Sequence, residues 1–120
     1  LAIATTTSPV NIAALLRKAL GENWCDGFAV VEDASTAPNK KPHPQVYQQT
    51  LARLGLSASA CLAVEDSANG LLAARAAGLP VIITPNGFTA HHDFSGALRV
   101  LPSLQGVTLE QLHTWHASHT

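Results

Sequence analysis

The chain has 120 residues, 47% of them apolar, and a formal net charge of −1 with no run of like charges. That length makes one domain the default, and the balanced charge argues against a nucleic-acid or membrane-surface role. No apolar run approaches the ~20 residues of a membrane-crossing helix, and two distant cysteines without C-x-x-C spacing, Cys25 and Cys61, fit the reducing cytoplasm.

The chain opens without Met, directly on an apolar stretch that carries no leader pattern. A domain rarely starts inside a buried strand, so the sequence predicts that residues precede Leu1. Residues 2–6 read as a short buried strand. Ser8 followed by Pro9 signals a helix start, with Ile12, Leu15, Leu16 and Ala19 as its apolar face and Gly21 as its stop. Residues 28–31 read as a second strand and 32–41 as a polar loop. A helix from Pro44 to Gly55 turns Val46, Tyr47, Leu51 and Leu54 inward. Residues 60–64 form a third strand, with Cys61, Leu62, Ala63 and Val64 read as buried, Ser67 caps the next helix, and the Gly78, Leu79, Pro80 sequence breaks it. Residues 81–84 give a fourth strand, Pro85, Asn86 and Gly87 a turn, residues 99–101 a short fifth strand, and 108–116 a terminal helix. Strands alternating with helices of this length predict an α/β fold, a mostly parallel Rossmann-like sheet with helices on both faces.

Three polar groups follow strands and so gather on one rim of that sheet, where open α/β sheets bind ligands. Glu65 and Asp66 come directly after the third strand. Acids also favour helix N-termini, but capping needs only one. Paired carboxylates at a strand end suit Mg²⁺, which takes one or two carboxylates plus substrate phosphate. Asp66 is the better direct ligand, with Glu65 acting through water. Thr5, Thr6 and Thr7 end the first strand just before a helix start, and hydroxyls beside free N–H groups make an anion cradle. Of the two lysines before Pro42, His43 and Pro44, Lys41 adjoins the stiff segment, where proline holds its predecessor extended. The sequence leaves the isomer of the Lys41–Pro42 bond open.

Histidines at 113, 116 and 119 read as an exposed, frayed helix end, and His91 and His92 as solvated loop residues. No G-x-S-x-G elbow supports a serine hydrolase.

Together these residues resemble the haloacid-dehalogenase superfamily, in its phosphatase and phosphomutase branch. Ala2, Ile3, Ala4 and Thr5 are similar to the family's second motif, a strand ending in a phosphate-holding hydroxyl, which selects Thr5. Lys41, Pro42, His43 and Pro44 resemble the third, K-P-x-P. Val64, Glu65, Asp66 and Ser67, continued by Asn69 to Ala74, resemble the fourth. Residues 84–89 and 93–97 are similar to the CbbY-like group, which dephosphorylates sugar bisphosphates such as xylulose 1,5-bisphosphate.

The first motif, D-x-D-G-T, with its nucleophile and its general acid/base, is not in the sequence, nor is the family's substrate-choosing cap. The resemblance therefore implies that residues 1–120 are the C-terminal portion of a family core domain. The parent would be a Mg²⁺-dependent phosphatase working through an aspartyl-phosphate. In it Thr5 and Lys41 would hold the phosphoryl group, the Thr6 N–H would add a donor, and Asp66 and Glu65 would serve the metal. A central strand would be missing between those ending at Thr5 and Val64. It would be supplied by the N-terminal part of the same protein or by a swapped copy, unless the two edges close. The segment alone would be inactive. Alternatives are β-phosphoglucomutase-like phosphoryl transfer, a non-catalytic phosphate-binding pseudoenzyme, and a response-regulator-like domain.

Overall fold

The computed structural model describes residues 1–118. Five short strands and four helices alternate up to β4, which β5 follows without a helix: β1 (Ala2–Ala4), α1 (Pro9–Leu20), β2 (Val30–Glu32), α2 (Gln45–Leu54), β3 (Ala63–Glu65), α3 (Ala68–Ala76), β4 (Val81–Ile83), β5 (Arg99–Val100) and α4 (Leu109–Ser118). Every strand pair is parallel, as the alternation predicts.

The pairs fall into two sheets rather than one. In the first, Ala2 lies opposite Val30 and Ala4 opposite Glu32. In the second the order is β3-β4-β5, with Ala63 opposite Val81 and Ile82 opposite Arg99. Strands β1 and β3 do not pair. Between them runs an apolar cavity of about 690 Å³, walled by Ala2, Ile3 and Ala4 on one side and Leu62, Ala63 and Val64 on the other.

The cavity explains two departures from the sequence expectation. β1 is only half-buried, and Val64, read as a core residue, is 43% exposed. Strand alternation sends Ala63 into the core and Val64 to the opposite face. There Leu62 and Val64 share a second cavity with Leu109, Leu112 and His116 of α4. His116, expected at a frayed end, is half-buried, and its Nε2 is shut away from solvent. His113 is exposed, and His119 lies outside the described residues.

The core centres on β4. Val81, Ile82 and Ile83 are fully buried, as befits a strand covered on both faces. Each contributes about 1.5–3 kcal/mol of burial. Leu71, Ala73 and Ala74 of α3 and Val46 and Tyr47 of α2 pack into the same core. By contrast, α1 buries no residue fully, and Leu15, expected on its apolar face, is 62% exposed.

Local signals set the helix ends. The Ser8 hydroxyl accepts the Asn11 N–H at 3.2 Å with Pro9 in the first turn, and the Ser67 hydroxyl accepts the Gly70 N–H at 3.1 Å. Gly55 closes α2 in the left-handed conformation, φ +68°, which glycine adopts without steric cost. Among the described residues, no helix is long and apolar enough to cross a membrane.

Candidate active site

The carboxyl ends of β1 and β3 are joined by one side chain. The Lys41 Nζ donates to the Ala4 carbonyl at 3.1 Å and to Glu65 Oε1, with which it forms an ion pair. Both partners are largely shielded, their side chains 16% and 8% exposed. Neighbouring Lys40 is exposed. The bond between Lys41 and Pro42 is cis.

The loop that presents Lys41 is tied internally. The His43 N–H donates to the Lys40 carbonyl at 3.0 Å, the Gln45 N–H to His43 Nδ1 at 3.1 Å, and the Asn39 N–H to Gln45 Oε1 at 2.8 Å. Such local bonds, added to two fixed proline φ angles, restrict the lysine stem without a regular element.

Glu65 is the hub. Its Oε1 also accepts the Tyr47 hydroxyl at 2.5 Å, from the first turns of α2. Burial raises the Tyr47 pKa, and the charge of Glu65 raises it further. The Lys41 ammonium lies 5.2 Å from the centre of the Tyr47 ring, within cation–π range. Glu65 Oε2 rests over Gly70 of α3: a Cβ there would stand 2.0 Å from it. Only glycine leaves room for this carboxylate.

Asp66, the next residue, is exposed, and its Oδ2 accepts the Asn86 side-chain amide at 3.2 Å. Thr5 is half-buried at the end of β1. Its N–H donates to the Glu32 carbonyl at 3.1 Å and its hydroxyl accepts the Thr7 N–H at 3.2 Å, so Thr5, Thr6 and Thr7 form a tight turn. Lys41 thus ties the segment before Thr5 to the segment before Asp66.

Several site neighbours escaped sequence reasoning. Tyr47 reads as one more apolar helix position, and its only signal is its place in the first turn after Pro44. Asn86 reads as a turn residue, although it follows β4 on the same rim. His92, expected in solvent, is half-buried and its Nδ1 accepts the Ala68 N–H at 3.1 Å. Glu32, assigned to a loop, ends β2 fully buried; its Oε1 accepts from Arg53 at 2.8 Å and its Oε2 has no hydrogen-bond partner among the described residues.

A hard, exposed carboxylate oxygen at a strand end is the donor type Mg²⁺ takes, and Asp66 provides it. Glu65 Oε1 already accepts from two groups, so the residues present fit a site with Asp66 as the direct ligand and Glu65 behind it.

Comparison with known proteins gives the family and the fold. Residues 1–78 match the model of the haloacid dehalogenase-like hydrolase family. Protein CbbY (plasmid) of Cupriavidus necator is 58% identical over 104 residues, covering 87% of this chain and 41% of that protein. The crystal structure of CbbY from Rhodobacter sphaeroides in complex with phosphate superposes with a TM-score of 0.88 at 39% identity, covering 93% of this chain and 50% of that one. A mutant of the same protein in complex with xylulose 1,5-bisphosphate gives a TM-score of 0.88 at 39% identity, covering 92% and 50%. The chain thus spans about half the length of these relatives.

Proposed function

Because the chain belongs to the haloacid dehalogenase-like hydrolase family, we propose that residues 1–120 are the C-terminal portion of the core of a Mg²⁺-dependent phosphatase. Its substrate would be a small sugar phosphate or bisphosphate of the xylulose 1,5-bisphosphate kind, the ligand of a similar CbbY structure. The Lys41 bridge carries this reading. One ammonium is held by the Ala4 carbonyl and by Glu65, the residues that directly precede Thr5 and Asp66. A cation, a hydroxyl and a carboxylate at the linked ends of β1 and β3 are the parts a phosphoryl group needs for positioning and charge neutralisation.

In this scheme Lys41 and Thr5 hold the phosphoryl oxygens, with the Thr6 N–H as an added donor. Asp66 would hold Mg²⁺ directly and Glu65 would support it from behind. When bound, the metal neutralises phosphate charge so that a carboxylate can approach phosphorus. Tyr47 and Gly70 keep Glu65 in place, and Glu65 keeps Lys41 in place.

The nucleophilic carboxylate and the acid/base carboxylate of an aspartyl-phosphate route would come on a strand outside this sequence, which holds no D-x-D. That strand would enter between β1 and β3, supplied by the N-terminal part of the parent protein or by a swapped copy. The chain alone would be inactive. Its two free cysteines accord with a cytoplasmic location.

The test is phosphate release from xylulose 1,5-bisphosphate with Mg²⁺, measured for the parent polypeptide and for the 120-residue chain. Turnover by the parent and none by the chain is expected. An inactive parent would overturn the phosphatase, and an active chain would overturn the need for a supplied strand.

A further inference from the structure

We propose that Asn86 is a positioning residue for the Asp66 carboxylate: its amide holds Oδ2 and leaves Oδ1 turned out for a divalent cation. The inference rests on the reading of Asp66 as the direct metal ligand and extends it to a segment with no role in the scheme above.

The orientation of the Asn86 amide is set by its own hydrogen bonds. Its Oδ1 accepts the N–H groups of Phe88 at 2.8 Å and Thr89 at 3.1 Å. Two donors on the oxygen fix which end of the amide is which, so the NH₂ group faces Asp66. Asn86 cannot rotate away without releasing both turn bonds.

The turn is anchored as well. The Asn86 N–H donates to Thr89 Oγ1 at 2.9 Å, and the Ala90 N–H donates to the Asn86 carbonyl at 3.0 Å. Further along, His92 Nδ1 takes the Ala68 N–H at 3.1 Å and packs on Phe94, ring centroids 6.1 Å apart. The segment from Asn86 to His92 is therefore fastened at two places, to Asp66 and to Ala68. It clasps the corner between β3 and α3 at Asp66 and Ala68, while Glu65 reaches Lys41 and Tyr47.

An exposed carboxylate without such a clasp samples several rotamers, and ordering it on cation binding costs free energy. A partner that pre-orients a ligand and leaves one oxygen open removes that cost. Outer partners of metal ligands typically affect affinity by about 10–100-fold.

The experiment is Mn²⁺ binding to the parent polypeptide, followed by the electron paramagnetic resonance signal of free Mn²⁺, with melting temperature as the check on folding. Asn86→Ala is expected to weaken Mn²⁺ about tenfold with little change in melting temperature. Asn86→Ser, which keeps a hydroxyl acceptor for the turn but is too short to reach Asp66, is expected to show the same loss. Thr89→Val loosens the turn without touching the amide and is expected to stay within about twofold. Unchanged affinity in both Asn86 variants, alongside a large loss in Asp66→Asn, would overturn the role of Asn86 alone. Equal losses in Thr89→Val and the Asn86 variants would also overturn it, because turn integrity would then explain the effect. Unchanged affinity in Asp66→Asn would overturn the Asp66 reading, and the proposal with it.

Discussion

Tyr47 and Lys41 share a single acceptor, the Oε1 atom of Glu65, although the three residues come from a helix, a loop and a strand end. A carboxylate oxygen with two lone pairs can accept both, one from an ammonium and one from a neutral phenol. Each donor then limits where the other can sit, and a buried network satisfied in this way is stiff.

Tyr47 is the only tyrosine in the chain, so its titration can be read directly. Burial, then the adjacent carboxylate, raises its pKa above the ordinary 10.0. A phenol with a raised folded-state pKa stabilises the fold below the unfolded value, and that stability is lost as the pH climbs past it. Tyrosinate absorbance near 295 nm should therefore stay silent through pH 10 and appear together with loss of circular dichroism. A smooth ionisation near pH 10 in the folded protein would refute the buried bond to Glu65.

Removing Lys41 takes the cation from the proposed phosphoryl site and leaves Glu65 shielded with the phenol alone. Lys41→Ala in the parent polypeptide should lower kcat/KM by about 10²–10³-fold, the usual cost of losing one preorganised charge. Lys41→Arg should rescue little, because the planar guanidinium cannot reproduce a point contact to both the Ala4 carbonyl and Glu65. Steady-state kinetics for the two variants decide this.

Gly70→Ala tests the packing of Glu65. The added methyl would meet Oε2 at 2.0 Å, while alanine is otherwise the better helix former. Overpacking of about 1–3 kcal/mol should outweigh the helix gain, and the displaced carboxylate should loosen Lys41. Both a lower melting temperature and a lower kcat are expected. A melting temperature raised above that of the parent would contradict the close approach.

Glu32 and Arg53 make an unequal pair: the acid is fully buried and the guanidinium half in solvent. Arg53→Ala should cost about 3–5 kcal/mol, since it leaves a buried charge uncompensated. Glu32→Gln should cost much less, because the amide removes the charge with it. Urea denaturation of both variants gives the comparison, and equal costs would argue against a charge penalty.

The sequence carried the elements that depend on neighbours in the chain. Ser8 with Pro9, Ser67, and the unbroken Val81, Ile82, Ile83 run announced their helix starts and central strand through capping and continuous apolarity alone. Thr5, Glu65 and Asp66 are legible as a group because each ends or follows a strand, and Lys41 because prolines stiffen the loop beyond it. What stayed hidden depends on partners far along the chain. Glu32 looks like a loop acid until Arg53 arrives from 21 residues away, and Tyr47 looks like core until Glu65 turns back over Gly70. Val64 was misjudged for the opposite reason: its apolarity implies a cover that neither sheet supplies.

The space between β1 and β3 also bears on how this polypeptide behaves in a tube. Two strand edges left unpaired with each other, lying beside apolar side chains, are adhesive toward copies of themselves. At high concentration the chain should stack into insoluble material. A short extended peptide with alternating apolar side chains, added in excess, should act as a stopper and keep it in solution.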